Sequence, residues 1–246
     1  MDDLAETLAR GPGVLGEVVL RRRIGQNEQP IVELIVNGVF LMDTAETSTE
    51  AMLAQAVLDR HPTPRRVLVG GLGLGVTVGA LVADARVEHV VVVEIEPLLV
   101  SWLRSGLVPT ARQAIADPRV DVVLADIVDV LRRADDQSYE VILLDIDNGP
   151  GFLVHPDNAA VYERPALAEV ARVLRRSGML AVWSADPAPY LVATLDDVVG
   201  PVEEVVRTVS RDSRELCYVI YLATRMTTRA IPLTPGEHGR DDVRHD

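Results

Sequence analysis

A regular alternation of apolar strand-like runs with helix-like segments constrains this chain more than any other feature. From residue 65 to residue 224, runs such as "RRVLVGG", "EHVVVVEIE" and "YEVILLDID" are separated by segments whose apolar residues recur at helical spacing. Strands that are almost continuously apolar are buried on both faces, and the helices between them form right-handed crossovers. We therefore predict a Rossmann-like α/β fold with a seven-stranded, mostly parallel sheet. The last two runs, "EEVVRTVS" and "LCYVIYLAT", follow each other without a helix, so one of them should be antiparallel.

The remaining segments suggest a simple domain organisation. Residues 1–13 are predicted to be a flexible leader, and residues 227–246, which are rich in proline, glycine and charge, a flexible tail. Residues 14–46 contain short β-like runs with Asn37-Gly38 as a hairpin signal, which predicts a small β-rich segment. Residues 47–226 form the main domain, which starts with a helix over "TSTEAMLAQAVLDRH" and later contains a helix across "ERPALAEVARVLRRS".

Composition excludes several classes of function. The 246 residues include 24 basic and 37 acidic side chains, a formal charge of −13, and every basic one is arginine. This balance argues against nucleic acid and favours cationic or neutral partners. The single cysteine, Cys217, lies in an apolar run, so we expect it to be buried, and we predict no metal site. Without a signal-like or membrane-spanning apolar stretch, we expect a cytoplasmic protein with no membrane partner.

The stretch "VLVGGLGLGVTVGALV" joins the first strand of the main sheet to its helix through a glycine turn. Such a turn lets a ligand approach the backbone at the start of a helix. The dinucleotide pattern G-x-G-x-x-G/A fails here, because its third position is Val76 when counted from Gly71 and Val78 when counted from Gly73. A phosphate-binding loop is excluded because the chain contains no lysine. We therefore expect a nucleoside without a phosphate chain.

Acidic residues end the strands that follow the turn. Glu94 ends "EHVVVVEIE", where an acid commonly accepts hydrogen bonds from ribose hydroxyls, and Asp126 ends "VDVVLAD", where an adenine edge could be read. Asp145 and Asp147 end "YEVILLDID". Because the carboxyl ends of parallel strands meet at one rim of an open sheet, we expect these acids to line one ligand site.

The order of these motifs resembles the spermidine synthase family, the polyamine aminopropyltransferases. The resemblance covers about residues 14–224, and its strongest parts are the acid-tipped strands and "DPRVDVVLAD". It implies the class I S-adenosylmethionine-dependent methyltransferase fold, preceded by short N-terminal β-hairpins. It also implies a homodimer and a small-molecule amine as substrate.

The resemblance assigns cofactor-binding roles to five residues. Gly71, Gly73 and Gly75 would lie under the methionine part of S-adenosylmethionine or its decarboxylated form. Glu94 would hold the ribose, and Asp126 would face the adenine.

Catalytic and substrate-binding roles are assigned in the same way. Asp145 would be the catalytic acid that accepts a proton from the attacking amine or steers its lone pair, and Asp147 or Asn148 would approximate the second acid of that loop. Glu50 corresponds to the family's acidic segment after the hairpins. His155 and Tyr162 follow on a lid-like loop that should overhang the acceptor site.

One departure from the family pattern bears on the reaction. The family's turn reads G-G-G-D-G-G and its acid grips the donor amine, whereas "GGLGLG" has Gly73 at that position. Loss of the carboxylate removes a repulsion against the carboxylate of ordinary S-adenosylmethionine. We therefore expect a spermidine synthase-like transferase that moves a methyl group to a small amine or other nucleophile. The alternatives are an aminopropyltransferase that uses decarboxylated S-adenosylmethionine and a diamine, and a non-catalytic nucleoside-binding protein.

Overall fold

The computed structural model describes residues 5–25, 28–211 and 214–226. These residues form eleven strands in two sheets, seven α-helices and one 3₁₀ helix. The strands are β1 (Glu6–Gly13), β2 (Gly16–Ile24), β3 (Pro30–Val36), β4 (Val39–Asp43), β5 (Arg66–Gly70), β6 (His89–Glu94), β7 (Val120–Leu124), β8 (Tyr139–Leu144), β9 (Leu174–Ser184), β10 (Val202–Arg211) and β11 (Arg214–Thr224). The helices are α1 (Ser48–Arg60), α2 (Val76–Val82), α3 (Pro97–Ser105), α4 (Pro109–Ile115), α5 (Ile127–Arg133), the 3₁₀ helix (Pro156–Tyr162), α6 (Arg164–Val173) and α7 (Pro189–Val198).

The main sheet has seven strands in the order β10-β11-β9-β8-β5-β6-β7. Strands β5 to β9 pair in parallel, while β11 pairs antiparallel with both β9 and β10. The predicted seven-stranded, mostly parallel α/β sheet with an antiparallel end is thus confirmed. Every residue of β8 is buried because this strand lies near the centre of the sheet and is covered on both faces.

Two apolar layers cover the main sheet. One contains Leu53 of α1, Leu81 of α2 and Leu103 of α3. The other contains Leu131 of α5 and Leu167 of α6. Helices on both faces are expected for parallel strands. Each connection must return the chain to the same end of the sheet, and the helix that makes this connection packs on one face.

An antiparallel sheet in the order β1-β2-β3-β4 precedes the main domain. Residues Glu6–Gly13, which the sequence assigns to a flexible leader, form β1 because their backbone pairs with β2. The predicted Asn37-Gly38 turn joins β3 to β4, and both residues have positive φ, 52° and 75°. Residues 1–4 of the leader and the predicted tail, residues 227–246, lie outside the described residues.

Two further expectations need correction, and one helix has no counterpart among the predictions. Helix α4 was not predicted, because its seven residues begin with Pro-Thr and are too few to show a helical period. The helix predicted across "ERPALAEVARVLRRS" ends at Val173, where β9 begins. Cys217 is exposed rather than buried, and it pairs with Thr208 near the ends of β10 and β11 where Arg211 pairs with Arg214. No helix in the described part of the chain is long and apolar enough to cross a membrane.

Candidate active site

The carboxyl ends of four parallel strands meet at one rim of the main sheet. Gly70 of β5 pairs with Val93 of β6 and Leu144 of β8, and Glu94 pairs with Leu124 of β7. The residues that follow these strands therefore converge on a cavity of about 270 Å³. Among its lining residues are Gly71, Gly73, Glu94, Asp126, Asp145 and Asp147, six of those predicted from the sequence.

Glycine is required at two positions of the turn for different reasons. At Gly71, where φ is +92°, a Cβ atom would lie 2.0 Å from the backbone oxygen of Asp145. At Gly75, where φ is +76°, a Cβ atom would lie 3.1 Å from the Cα of Ala111 in α4. Gly71 therefore lets the turn approach the rim, whereas Gly75 lets α2 pack against α4 and does not line the cavity.

Gly73 faces a side chain from the N-terminal sheet. A Cβ atom at Gly73 would lie 2.8 Å from the Sδ of Met42, and that sulfur also accepts a hydrogen bond of 3.2 Å from the backbone N–H of Leu74. Met42 thus occupies the volume that a side chain at position 73 would need. No sequence signal pointed to Met42, because it is distant along the chain from Gly73 and belongs to another sheet.

Glu94 and Asp126 are fixed by backbone hydrogen bonds. Glu94 is buried, and its two carboxylate oxygens accept hydrogen bonds of 2.9 Å from the N–H groups of Leu72 and Glu96. Burial raises the pKa of Glu94, although these hydrogen bonds act against the rise. Asp126 caps α5 by accepting a 2.7 Å hydrogen bond from Val128 N. Both carboxylates are therefore held in position before any ligand binds.

Asp145 lies behind the glycine turn, where a residue of α2 donates a hydrogen bond to its carboxylate. Thr77 Oγ1 donates a 2.7 Å hydrogen bond to Asp145 Oδ2. Burial nevertheless raises the pKa of Asp145 to about 6. A carboxylate with a pKa near neutrality is suited to accepting a proton from an amine. Thr77 could not be singled out from the sequence because it is one polar residue within an apolar helix.

The loop after Asp145 is held by its own side chains. Asp147 accepts hydrogen bonds from Asn158 Nδ2 at 2.6 Å and from Val154 N at 3.2 Å. Burial raises the pKa of Asp147. Tyr162 is buried and donates a 2.8 Å hydrogen bond to the backbone oxygen of Ile146. The loop therefore presents Asp147 to the cavity in a fixed position.

Two predicted substrate-binding residues, His155 and Tyr162, line neither this cavity nor the second cavity described below. Tyr162 supports the loop from behind, as its buried hydroxyl shows. The ring of His155 caps the 3₁₀ helix, because its Nδ1 accepts a 3.3 Å hydrogen bond from Asp157 N. The sequence indicates that both residues belong to the loop. It does not indicate that both side chains make hydrogen bonds to the backbone of the loop itself.

A second cavity, of about 500 Å³, adjoins the first, and Leu41 and Met42 line both. Its walls include the aromatic rings of Trp183 and Tyr218, whose centroids lie 5.5 Å apart. Glu50, the third predicted substrate-binding residue, lines this cavity together with Glu46. Burial and the nearby Asp145 carboxylate raise the pKa of Glu50 to about 7.

The charge of the two cavities has one sign. The first is lined by six acids and the second by two, and none of the described residues that line either is an arginine or a histidine. The acids are Glu94, Glu96, Asp126, Asp145, Asp147 and Asp157 in the first cavity, and Glu46 and Glu50 in the second. Within the described residues, no group of His, Cys, Asp or Glu is arranged to hold a metal ion. The pair of cavities is therefore suited to cationic organic ligands.

The seven-stranded sheet with its glycine turn and acidic strand ends defines a Rossmann-like α/β protein of the class I methyltransferase type. Comparison with known proteins narrows this class, because the model of the spermine/spermidine synthase domain matches residues 46–210. The chain belongs to the spermine/spermidine synthase domain family.

Individual relatives agree with this membership. Polyamine aminopropyltransferase 1 of Hyperthermus butylicus is 31% identical over 191 residues, which cover 72% of this chain and 63% of the relative. The polyamine aminopropyltransferase of Thermococcus onnurineus is 34% identical over 113 residues, or 46% of this chain and 39% of the relative. The chain thus spans less than two thirds of the length of these relatives.

Solved structures share the fold. Spermidine synthase from Thermotoga maritima superposes with a TM-score of 0.74 at 18% identity, covering 89% of this chain and 72% of that structure. A spermidine synthase in complex with the transition-state analogue AdoDATO superposes with a TM-score of 0.76 at the same identity, covering 89% and 73%. The fold predicted from the sequence is confirmed by these likenesses.

Proposed function

We propose that this protein is an aminopropyltransferase that moves the aminopropyl group of decarboxylated S-adenosylmethionine to a small amine such as a diamine. The observation that carries this proposal is the pair of adjoining cavities, whose described lining residues include eight acids and no arginine or histidine. Both substrates of such a reaction are cations, one a sulfonium with an amine and the other an ammonium. Family membership and the names of the relatives favour the same reaction over methyl transfer.

The first cavity would hold the donor. Glu94 would accept hydrogen bonds from the ribose hydroxyls with the oxygen lone pairs left free by Leu72 and Glu96. Asp126 would face the adenine, and the backbone at Gly71 would lie under the sulfonium end. The N-terminal sheet, proposed as a separate segment over residues 14–46, would cover the donor, because Val18 and Leu34 line this cavity.

The chemical step is an in-line displacement. The amine nitrogen forms a bond to the carbon next to sulfur, and the C–S bond breaks with its electron pair moving to sulfur, which leaves as a neutral thioether. The amine must lose a proton before attack, and Asp145 would accept it or orient the lone pair, with Asp147 holding the cationic end nearby. Most of the rate would come from positioning, since the leaving group is good.

Incubation with decarboxylated S-adenosylmethionine and 1,4-diaminobutane tests the proposal. We expect mass spectrometry to detect an aminopropylated amine and methylthioadenosine in equal amounts. Asp145→Asn should lower kcat by about 10²-fold or more while the donor dissociation constant stays unchanged. Donor binding without turnover would instead support the non-catalytic alternative, and an unchanged rate in Asp145→Asn would remove the role given to that residue.

One observation favours methyl transfer as a second candidate. Gly73 leaves the turn without the carboxylate that would grip the amine of the decarboxylated donor. If methyl transfer is the reaction, calorimetry should give equal or tighter binding of S-adenosylmethionine than of its decarboxylated form, and mass spectrometry should detect methylated acceptor amines. Clear preference for the decarboxylated donor would reject this candidate.

A further inference from the structure

The polar residues of the second cavity come from segments that adjoin Asp145. They belong to the start of α1 and to the loop after β8, and they are Glu46, Thr49, Glu50 and Asn148. Thr77 Oγ1 lies 2.7 Å from Asp145 Oδ2 and 3.3 Å from the backbone oxygen of Glu50. The polar part of this cavity is therefore next to the proposed point of transfer.

The other walls of the second cavity are apolar and rich in aromatic rings. They come from β4, the loop after β8, the end of β9 and the beginning of β11, and consist of Val39, Phe40, Leu41, Met42, Phe152, Trp183, Ala185, Leu216 and Tyr218. The whole chain has two phenylalanines, five tyrosines and two tryptophans, and four of these nine rings line this one cavity. Rings brought together in this way pack against flat apolar groups.

The order of the strands places these rings to one side of Asp145. Asp145 follows β8, whereas Trp183 belongs to β9 and Tyr218 to β11, the next two strands of the sheet. Neighbouring strands lie about 5 Å apart, so Tyr218 belongs to a strand about 10 Å from β8. An amine beside Asp145 therefore has its far end among walls whose described residues include no acid.

Two large apolar side chains that line this cavity are exposed to solvent. Phe152 is 48% exposed and Leu216 is 36% exposed, and they come from different segments of the chain. Exposed apolar side chains around a cavity are typical of a binding site for an apolar group. A ligand that carries such a group removes their surface from water, and its binding strengthens in proportion to the apolar area buried.

We propose that the acceptor is an arylalkyl amine, with its amine beside Asp145 and its ring between the aromatic walls of the second cavity. This inference rests on the proposed function and narrows the class of amine that accepts the aminopropyl group. The second cavity, at about 500 Å³, is larger than the first, at about 270 Å³. It has room for a ring in addition to a short methylene linker.

The transfer step is balanced for this acceptor. The arylalkyl ammonium loses one proton to Asp145, and its nitrogen then forms a bond to the carbon next to sulfur. The C–S bond breaks, and its electron pair stays on sulfur in neutral methylthioadenosine. The product is a secondary ammonium that carries one aminopropyl group, and Asp145 releases its proton to solvent.

Competition between two amines tests the acceptor class. The full chain is incubated with decarboxylated S-adenosylmethionine and equal concentrations of 2-phenylethylamine and 1,4-diaminobutane, and mass spectrometry gives the ratio of the two products. This ratio equals the ratio of the two kcat/KM values. We expect it to favour 2-phenylethylamine by about tenfold or more, because burial of the ring contributes to binding.

A matched pair of exposed residues tests where the ring binds. Leu216→Ser should lower the ratio several-fold, since it removes apolar surface from the wall of the cavity. The control is Val206→Ser, because Val206 lies on the neighbouring strand β10, is 59% exposed and lines neither cavity. The control should leave the ratio unchanged.

Calorimetry in the presence of methylthioadenosine separates this inference from the proposed function. We expect 2-phenylethylamine to bind more tightly than 1,4-diaminobutane, and Leu216→Ser to weaken its binding. That result without aminopropyl transfer supports the acceptor class while it rejects the proposed reaction. Equal or tighter binding of the diamine, no binding of 2-phenylethylamine, or equal effects of Leu216→Ser and Val206→Ser overturn the inference whatever the activity.

Discussion

Glu50 holds a buried carboxyl group whose ionisation opposes folding. Its pKa rises from an ordinary value of 4.5 to about 7, mainly through burial. Between these two pH values the folded chain binds more protons at this site than the unfolded chain does, so the free energy of unfolding falls as pH rises through that window. Above pH 7 the whole cost is present, and it is removed only when a cation binds or the charge is deleted.

Glu50→Gln should therefore stabilise the ligand-free protein at pH 8. We expect a gain in the free energy of unfolding on the order of 2–3 kcal/mol at pH 8 and little gain at pH 4, where the wild-type carboxyl group is already neutral. Denaturant unfolding at the two pH values measures the difference in the free energy of unfolding between variant and wild type. Glu88→Gln is the control, because Glu88 is exposed and pairs with Arg65. A change of equal size at both pH values would contradict this account.

Gly73 and Met42 form a matched pair. Gly73→Asp alone should lower stability by about 1–2 kcal/mol, because its Cβ would lie 2.8 Å from the Met42 sulfur. In Gly73→Asp/Met42→Ala the new carboxylate has room, and the preference for decarboxylated over ordinary S-adenosylmethionine should rise about tenfold. Competition calorimetry of the four variants of the cycle checks this coupling. Purely additive effects on donor preference would show that the two residues act independently.

The acids were predictable from sequence, whereas their partners were not. Glu94 ends β6, while Asp126 and Asp145 come within two residues of the ends of β7 and β8. Parallel strands bring their carboxyl ends to one rim regardless of what surrounds them. Met42 and Thr77 reach the same site from a different sheet and from the inner face of a helix, and contacts between distant segments leave no local pattern. The same limit explains why the ring of His155 was expected in the site although it caps the 3₁₀ helix.

Tyr162 joins the two ends of the segment that runs from Asp145 through the 3₁₀ helix, because its hydroxyl donates a hydrogen bond to the backbone oxygen of Ile146. Tyr162→Phe deletes the 2.8 Å hydrogen bond to the Ile146 oxygen and leaves that acceptor without this partner. We expect a loss of about 1–2 kcal/mol of stability and a several-fold lower kcat, since both loop acids lose their support. Thermal unfolding and steady-state kinetics measure the two effects.

Tyr139→Phe is the matched control for that substitution. Tyr139 begins β8 at the opposite end of the strand, is also buried, and lies away from both cavities. Its replacement should leave kcat unchanged. If both variants lower kcat equally, Tyr162 has no particular connection to the site.

Apolar elements, including the seven-residue helices α2 and α5, follow from the sequence, whereas β1 and α4 do not. β6 and β8 are runs of valine, isoleucine and leucine whose burial determines their state. The sequence of β1, ETLARGPG, predicts a leader because it is polar and ends in glycine and proline, yet backbone pairing with β2 is enough to order it. Pairing of this kind depends on the neighbouring strand, so the residues of β1 alone could not indicate it.

The negative net charge of the molecule should favour the association of its proposed cationic substrates. With a formal charge of −13 and acid-lined cavities, the protein should attract diamines from solution. Raising sodium chloride from about 50 to 500 mM should increase the diamine KM several-fold, because salt screens exposed charges. A monoamine of the same length, which carries half the charge of the diamine, serves as the control. An equal response of both amines would contradict electrostatic attraction.

The expected homodimer remains a prediction for the whole molecule. The four-stranded N-terminal sheet is the segment through which the family resemblance suggests association. Sedimentation at micromolar concentration should give twice the 26.8 kDa mass of the chain. A single species of monomer mass would reject the prediction.

Cys217 is a suitable site for specific chemical labelling because it is the one cysteine of the chain and its side chain is exposed. Its neighbours along β11, Leu216 and Tyr218, line the second cavity. Since successive side chains of a strand point to opposite faces, a fluorophore attached to this thiol would sit on the outside of the wall without obstructing the interior. A dye there would report, through its changing emission, when an amine enters or leaves, on unmodified substrates and in real time.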